Sequence, residues 1–147
     1  VMAMEGVPDD SALVVAAGDS MVEGGIEPVI QEFANRGLAA GTIAFRSTNP
    51  RWSYILPGPG QTVRQVAEKR VIGPLATTGV FYFQEAQLFK SAAEWCFVNN
   101  ARHRGLFYVS NTLNYLVSAN MKVGYHEIPR PQYQSWSLPA DFAGQSD

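Results

Sequence analysis

The sequence predicts an α/β domain with a mostly parallel central sheet and flanking helices. The first observation is the order of three segments: an apolar run at 12–17, an amphipathic run at 26–37 and a β-rich run at 41–47. Strand, helix and strand in this order form a βαβ unit, whose two strands are usually parallel. The second observation is a pair of further helical patterns, at 85–100 and 107–120.

Local signals support each of the first three segments. "ALVVAA" is a short apolar run that ends before Gly18, which is typical of a buried strand. In "IEPVIQEFANRG" the apolar residues recur at helical spacing, Pro28 falls in the first turn and Gly37 provides the stop. "GTIAFRS" is rich in strand-forming residues and follows directly.

The middle of the chain predicts three more strands. "WSYIL" at 52–56 and "TVRQVAE" at 62–68 flank the segment "PGPGQ". A cluster of proline and glycine between two strand patterns indicates a hairpin turn. "ATTGVFYF" at 76–83 is a further strand, and Gly79 inside it indicates close approach of a ligand or of another backbone.

The last third predicts two helices and an edge strand. The helix at 85–100 places Leu88, Phe89, Ala92, Trp95 and Cys96 on one face. The helix at 107–120 has an apolar stripe of its own. "KVGYHEI" at 122–128 alternates, which indicates an edge strand. The proline-rich tail after it predicts loop with one turn of helix.

Composition narrows the class of protein. The 147 residues and the 46% hydrophobic content suit one domain, residues 1–147. The net charge of −2 and the short basic clusters argue against nucleic-acid binding. The chain has no apolar run long enough to span a membrane, and we expect no signal peptide because its start is acidic and the apolar stretch there is short. Its single cysteine, Cys96, fits core packing in a reducing compartment, and we expect a cytoplasmic protein.

Asp19 raises the first functional question, because it directly follows the strand at 12–17 and Gly18. One interpretation is structural, since glycine and aspartate are both favoured in tight turns. The other is chemical, since open α/β sheets bind ligands at the carboxyl ends of their strands. Asp19 alone does not decide between them.

The order of four blocks resembles a known enzyme family. "VVAAGDSMVEGG", "TIAFRSTNPRWSYIL", "VRQVAEKR" and "ATTGVFYF" follow one another as in the sugar-phosphate nucleotidyltransferases, for example glucose-1-phosphate thymidylyltransferase. These enzymes join a sugar 1-phosphate to a nucleoside triphosphate. The resemblance implies a Rossmann-like nucleotide-diphospho-sugar transferase fold and a role in nucleotide-sugar and surface-polysaccharide biosynthesis.

The resemblance also implies roles for three charged residues. Asp19 matches the family's metal ligand, and Mg²⁺ is the implied cofactor if that site is retained, since a hard cation prefers carboxylate oxygens. Glu68 would accept hydrogen bonds from sugar hydroxyls, and Lys69 would pair with the sugar's phosphate. Adjacent residues of a strand face opposite ways, so this pair converges only at a bend or a strand end. The alternative is an exposed charged pair beside Arg70.

Four further residues match positions beside the sugar in the family. Ser53 and Tyr54 fall in the block where a small residue lets backbone groups contact the sugar, and the family often has glycine at the position of Ser53. Thr78 and Gly79 match residues beside the sugar ring. No catalytic residue is assigned.

Two departures from the family pattern concern the nucleotide. The sequence lacks the family's glycine-rich loop followed by Arg and Lys, so we expect an N-terminally truncated version of the fold. Where the family has a second metal-binding aspartate, Ser135 or Ser137 stands, and Asp141 matches a later, non-catalytic acid. We therefore expect no nucleotidyl transfer by this chain alone.

Two classes of function follow. The chain is the sugar-binding portion of a longer or split nucleotidyltransferase, or it is a non-catalytic module that binds a sugar phosphate or a protein. A metal-dependent glycosyltransferase fits less well, because "GDSM" has one aspartate where such enzymes usually carry Asp-x-Asp. The expected partners are a sugar 1-phosphate and either a second copy of the chain or a complementing N-terminal segment, because exposed sheet edges and apolar faces favour association.

Overall fold

A computed structural model of the chain describes residues 4–138. Eight strands and three α-helices follow one another along these residues. The elements are β1 (Leu13–Ala16), β2 (Ser20–Val22), α1 (Glu27–Asn35), β3 (Ala40–Arg46), β4 (Tyr54–Gly58), β5 (Thr62–Ala67), β6 (Leu75–Phe83), α2 (Ala86–Val98), α3 (Ser110–Ser118), β7 (Val123–Glu127) and β8 (Tyr133–Ser135), with a 3₁₀ turn at Arg130–Gln132 before β8.

The main sheet is mixed, so the prediction of a mostly parallel sheet is wrong. Its strand order is β1-β6-β3-β7-β5-β4, and β4 also pairs with β6, which gives five of the strands a barrel-like closure. Among the pairings within residues 4–138, the parallel one joins β3 to β7, and the others are antiparallel. The α/β class itself is confirmed.

The position of β6 explains the error. The βαβ pattern predicts that β1 and β3 are parallel neighbours. They do run in the same direction, but β6 lies between them and is antiparallel to both. Local sequence periodicity detects each strand and contains no information on which distant strand inserts between two others.

Two strands lie at positions that differ from those predicted, since β7 was predicted at an edge of the sheet and β1 as a buried strand. β7 lies inside the sheet between β3 and β5, and not at its edge. Gly124 permits this, because a Cβ there would lie 2.7 Å from Leu38 Cδ1 and 3.2 Å from the Gln61 carbonyl oxygen. β1 is the edge strand, and its side chains alternate between half-buried and exposed, as in Val14.

The helices, the hairpin and the single cysteine match the predictions. β4 and β5 form an antiparallel hairpin in which Tyr54 faces Ala67. The helices α1 and α2 fall inside their predicted ranges, and α3 begins three residues later than predicted, at Ser110. Cys96 is buried, and burial raises the pKa of its thiol, as expected of a core residue. The tail has its predicted helical turn, but the pairing of β8 with β2 is not predicted.

Two apolar clusters fill the two faces of the sheet. One lies between α1 and the sheet and contains an aromatic group in which Phe45 stacks on Tyr133 at 4.6 Å between ring centroids. The other lies under α2 and α3 and contains Phe83, Leu113 and Leu116. This second cluster fixes α3 against the sheet, and the first turn of α3 reaches the cavity described below.

Candidate sugar-phosphate site

A cavity of about 390 Å³ opens where the ends of β1, β5 and β8 meet the first turn of α3 and the middle of β6. Six of the residues singled out in the sequence line it: Asp19, Ser53, Glu68, Lys69, Thr78 and Gly79. They come from four separate parts of the chain. The remaining wall is largely apolar and includes Val15, Phe81 and Val109.

Glu68 is a buried carboxylate with several partners. Its side chain is 4% exposed and lies in the turn directly after β5. The hydroxyls of Ser53 and Ser110 both donate to its Oε2, the latter at 2.9 Å. Its Oε1 lies 3.6 Å from Lys69 Nζ. A buried carboxylate needs such donors and a cation, because its desolvation is costly.

Lys69 converges with Glu68 because the strand has already ended. β5 stops at Ala67, and Lys69 has a left-handed backbone with φ of 52°. The bend brings both side chains to one cavity, which a continuous strand does not allow. Lys69 Nζ also donates to the Arg51 carbonyl, and its half-exposed ammonium has further donor capacity. The pair is therefore not an exposed one on opposite faces of a strand.

Gly79 and Thr78 form another part of the cavity wall. Gly79 has φ of 80°, and its carbonyl accepts the Ala17 N–H at 3.1 Å. A Cβ on Gly79 would lie 3.1 Å from the Ala17 Cβ. Thr78 is buried, and its hydroxyl donates to the Ile43 carbonyl at 3.1 Å. The close approach that a glycine within a strand indicates is thus an approach of the β1 backbone.

Tyr54 does not line the cavity, in contrast to its sequence-based placement beside the sugar. It is the first residue of β4, its ring is fully buried, and its hydroxyl donates to the Asn49 carbonyl at 2.8 Å. Burial raises the pKa of this hydroxyl. Ser53 and Tyr54 are neighbours on an extended segment, so one faces the cavity and the other faces the core.

Asp19 is exposed at the cavity rim, on the turn between β1 and β2, and its carbonyl accepts the Trp136 N–H at 2.8 Å. Ser135 and Ser137 line the same end of the cavity, and their hydroxyl oxygens lie 3.0 Å apart. Among residues 4–138, no three His, Cys, Asp or Glu side chains cluster closely enough to hold a metal ion. Asp141 lies outside the described residues.

The sequence analysis did not predict Ser110, whose hydroxyl donates a hydrogen bond to Glu68 in the structure. Asn114, one turn later on α3, bonds both backbone groups of Val66: its Oδ1 accepts the N–H at 2.8 Å and its Nδ2 donates to the carbonyl at 2.9 Å. Residues 110 and 114 share a helix face, so the side of α3 that bonds the Val66 backbone also brings Ser110 to Glu68. Asn114 is a polar residue beside the apolar residues of α3, and this is the sequence feature that could have indicated a polar contact of the helix.

Comparison with known proteins supports the fold. No protein-family profile matches the chain, and no curated protein matches it. Many solved structures are similar. They include a nucleoside-diphosphate-sugar pyrophosphorylase from Vibrio cholerae RC9 (TM-score 0.82, 22% identity), a glucose-1-phosphate thymidylyltransferase from Bacillus anthracis in complex with a sucrose (0.71, 17%) and the inositol-1-phosphate CTP transferase from T. maritima (0.66, 15%).

The alignments cover 98%, 92% and 95% of this chain and 59%, 53% and 54% of the three structures, respectively. The chain therefore spans a little over half the length of the proteins that it resembles. No helix in residues 4–138 is long and apolar enough to cross a membrane. The chain has the fold of the sugar-phosphate nucleotidyltransferases, as the resemblance of its four sequence blocks implied.

Proposed function

We propose that the chain binds a sugar 1-phosphate in the 390 Å³ cavity, as the sugar-binding portion of a nucleotidyltransferase-type protein. The observation that carries this proposal is the convergence of buried Glu68 and half-exposed Lys69 on one cavity. On this proposal the protein acts in the cytoplasm, in nucleotide-sugar and surface-polysaccharide biosynthesis.

The chemistry of the cavity suits a phosphorylated sugar. An ionised carboxylate only accepts hydrogen bonds, so Glu68 selects hydroxyl groups. The Lys69 ammonium supplies the cation that a phosphate group needs. The apolar wall of Val15, Phe81 and Val109 offers a surface to the C–H face of a sugar ring. One ligand that carries hydroxyls, C–H groups and a phosphate can use all three features.

Direct binding tests the proposal. Calorimetric titration with a panel of hexose 1-phosphates should give saturable binding by the wild-type chain. Lys69→Met should weaken binding at least about tenfold, because a charge-assisted hydrogen bond to phosphate is lost. Lys122→Met is the matched control, since Lys122 is an exposed lysine that donates to the Arg36 carbonyl away from the cavity. Equal effects of the two substitutions, or no binding by any hexose 1-phosphate, would overturn the proposal.

We further propose that the chain does not transfer a nucleotidyl group by itself. Such transfer builds negative charge on the α-phosphate and the leaving pyrophosphate, which enzymes offset with cations and backbone amides. The sequence has no glycine-rich loop followed by Arg and Lys to supply these groups. A pyrophosphate-release assay with Mg²⁺, the common nucleoside triphosphates and the same sugar phosphates should give no turnover. Steady turnover that Asp19→Ala abolishes would contradict this.

A second candidate function, protein interaction, has a separate observation in its favour. Phe97, Val98 and Leu106 are 54%, 84% and 60% exposed on the end of α2 and the loop that follows it. Large exposed apolar side chains are typical of contact surfaces when they form a patch. If a second copy covers them, light scattering should find a dimer in the wild type and a monomer in Val98→Glu. A monomeric wild type at high concentration would argue against self-association.

A further inference from the structure

Two serine hydroxyls from distant parts of the chain converge on one oxygen of Glu68. Ser53 precedes β4 and is fixed by its carbonyl, which accepts the Thr77 N–H at 2.8 Å. Ser110 is the first residue of α3 and is buried. Both donate to Glu68 Oε2, and no hydroxyl donates to Oε1 among the described residues.

The hydrogen-bond capacity of the carboxylate explains why this matters. Each carboxylate oxygen has about two lone-pair positions. The two serines occupy those of Oε2, whereas Oε1 has Lys69 Nζ as its neighbour at 3.6 Å. The open acceptor position therefore lies on Oε1, beside the ammonium.

We infer that Ser53 and Ser110 are positioning residues: they fix the Glu68 side chain so that Oε1 faces the ligand and accepts a hydroxyl next to the phosphate held by Lys69. This inference rests on the proposed function and adds to it. Neither serine needs to touch the ligand. Preorganised acceptors bind better because the ordering of the side chain is already complete before the ligand arrives.

The placement of Ser110 is itself built into the fold. Asn114 clamps α3 to Val66 of β5 through two hydrogen bonds of 2.8 and 2.9 Å. One turn earlier on the same helix face, Ser110 meets Glu68. The docking of a helix thus helps to set the orientation of Glu68.

A positioning role predicts an effect that depends on the ligand's hydroxyl. Glucose 1-phosphate would use both Glu68 and Lys69, whereas inorganic phosphate would use Lys69 and has no sugar hydroxyl for Oε1. Loss of the Ser110 hydroxyl should therefore lower the ratio of the two affinities. A purely structural role would weaken both ligands alike, because the whole cavity would be disturbed.

The test compares Ser110→Ala with Ser118→Ala, an exposed serine on the same helix whose hydroxyl donates only to the Tyr115 carbonyl at 2.7 Å. Calorimetry measures glucose 1-phosphate affinity, and ³¹P NMR titration measures phosphate affinity. Ser110→Ala should lower the glucose 1-phosphate to phosphate affinity ratio about fivefold to thirtyfold, and Ser118→Ala should leave it unchanged. In a Glu68→Gln background the effect of Ser110→Ala should shrink, because both changes act through one side chain.

An unchanged ratio in Ser110→Ala, or additive effects of the two substitutions, would overturn the inference while sugar-phosphate binding by the wild type stands. Ser53→Ala provides a second variant with the same expectation. Failure of both serine variants to fold, judged by thermal melting, would assign the serines to fold stability and would overturn it too. Absence of wild-type binding to every hexose 1-phosphate would instead refute the proposed function.

Discussion

Replacing Gly79 by alanine should destabilise the protein by about 1–2 kcal/mol, through the left-handed backbone of residue 79 and one close contact. Gly79 has φ of 80°, and an L-residue with such a backbone costs about 1–2 kcal/mol. The new Cβ would also lie 3.1 Å from the Ala17 Cβ. Ala17 cannot move away freely, because its N–H bonds the Gly79 carbonyl. Alanine also lowers the conformational entropy of the unfolded chain, which offsets the destabilisation by about 0.4–1 kcal/mol.

Gly18→Ala is the matched control for this substitution. A Cβ on Gly18 would meet no heavy atom within 4 Å, and its backbone is outside the left-handed region. The control should be neutral or stabilise by about 0.4–1 kcal/mol. The two variants should differ by about 1–3 kcal/mol, and each kcal/mol shifts the melting temperature of a chain of this size by roughly 2–4 °C. Differential scanning calorimetry should therefore find Gly79→Ala melting below Gly18→Ala by about 2–12 °C. Equal melting temperatures would refute the account of the β1–β6 contact.

Two further outcomes concern buried hydroxyl and thiol groups. Burial raises the pKa values of Cys96 and Tyr82 above their ordinary 9.0 and 10.0, so the unfolded chain releases these protons first. Their contribution to stability is complete below about pH 9 and is lost as the pH rises through the folded values. The free energy of unfolding measured with urea should therefore fall as the pH rises from about 9 to 11. A flat profile would contradict this. Tyr54→Phe removes the hydrogen bond to the Asn49 carbonyl and should cost about 0.5–1.5 kcal/mol. The substitution should leave the affinity for a sugar phosphate unchanged. A loss of affinity would show that Tyr54 contributes to the site.

The sequence predicted the parts of the fold that depend on neighbouring residues. "PGPGQ" fixes the β4–β5 hairpin, and the apolar spacing of α1 and α2 places both helices. The order of strands depends on contacts between distant segments. The insertion of β6 between β1 and β3 therefore escaped prediction, as did the interior position of β7.

The same distinction between neighbouring and distant residues applies to the candidate site. The sequence predicts Glu68 and Lys69 as site residues because they are adjacent in a recognisable block, and the end of β5 with the left-handed Lys69 brings both side chains to one cavity. Tyr54 does not line this cavity because one residue along an extended segment changes the face. Ser110 was missed because its partner is 42 residues away and only the docking of α3 brings the two together.

A crystal structure of the chain soaked with glucose 1-phosphate tests the central claim most directly. The account predicts phosphate oxygens about 2.8 Å from Lys69 Nζ and a sugar hydroxyl within about 2.7 Å of Glu68 Oε1. It also predicts that both serines still donate to Oε2. A ligand that binds outside this cavity, or one whose phosphate lies away from Lys69, would contradict the account.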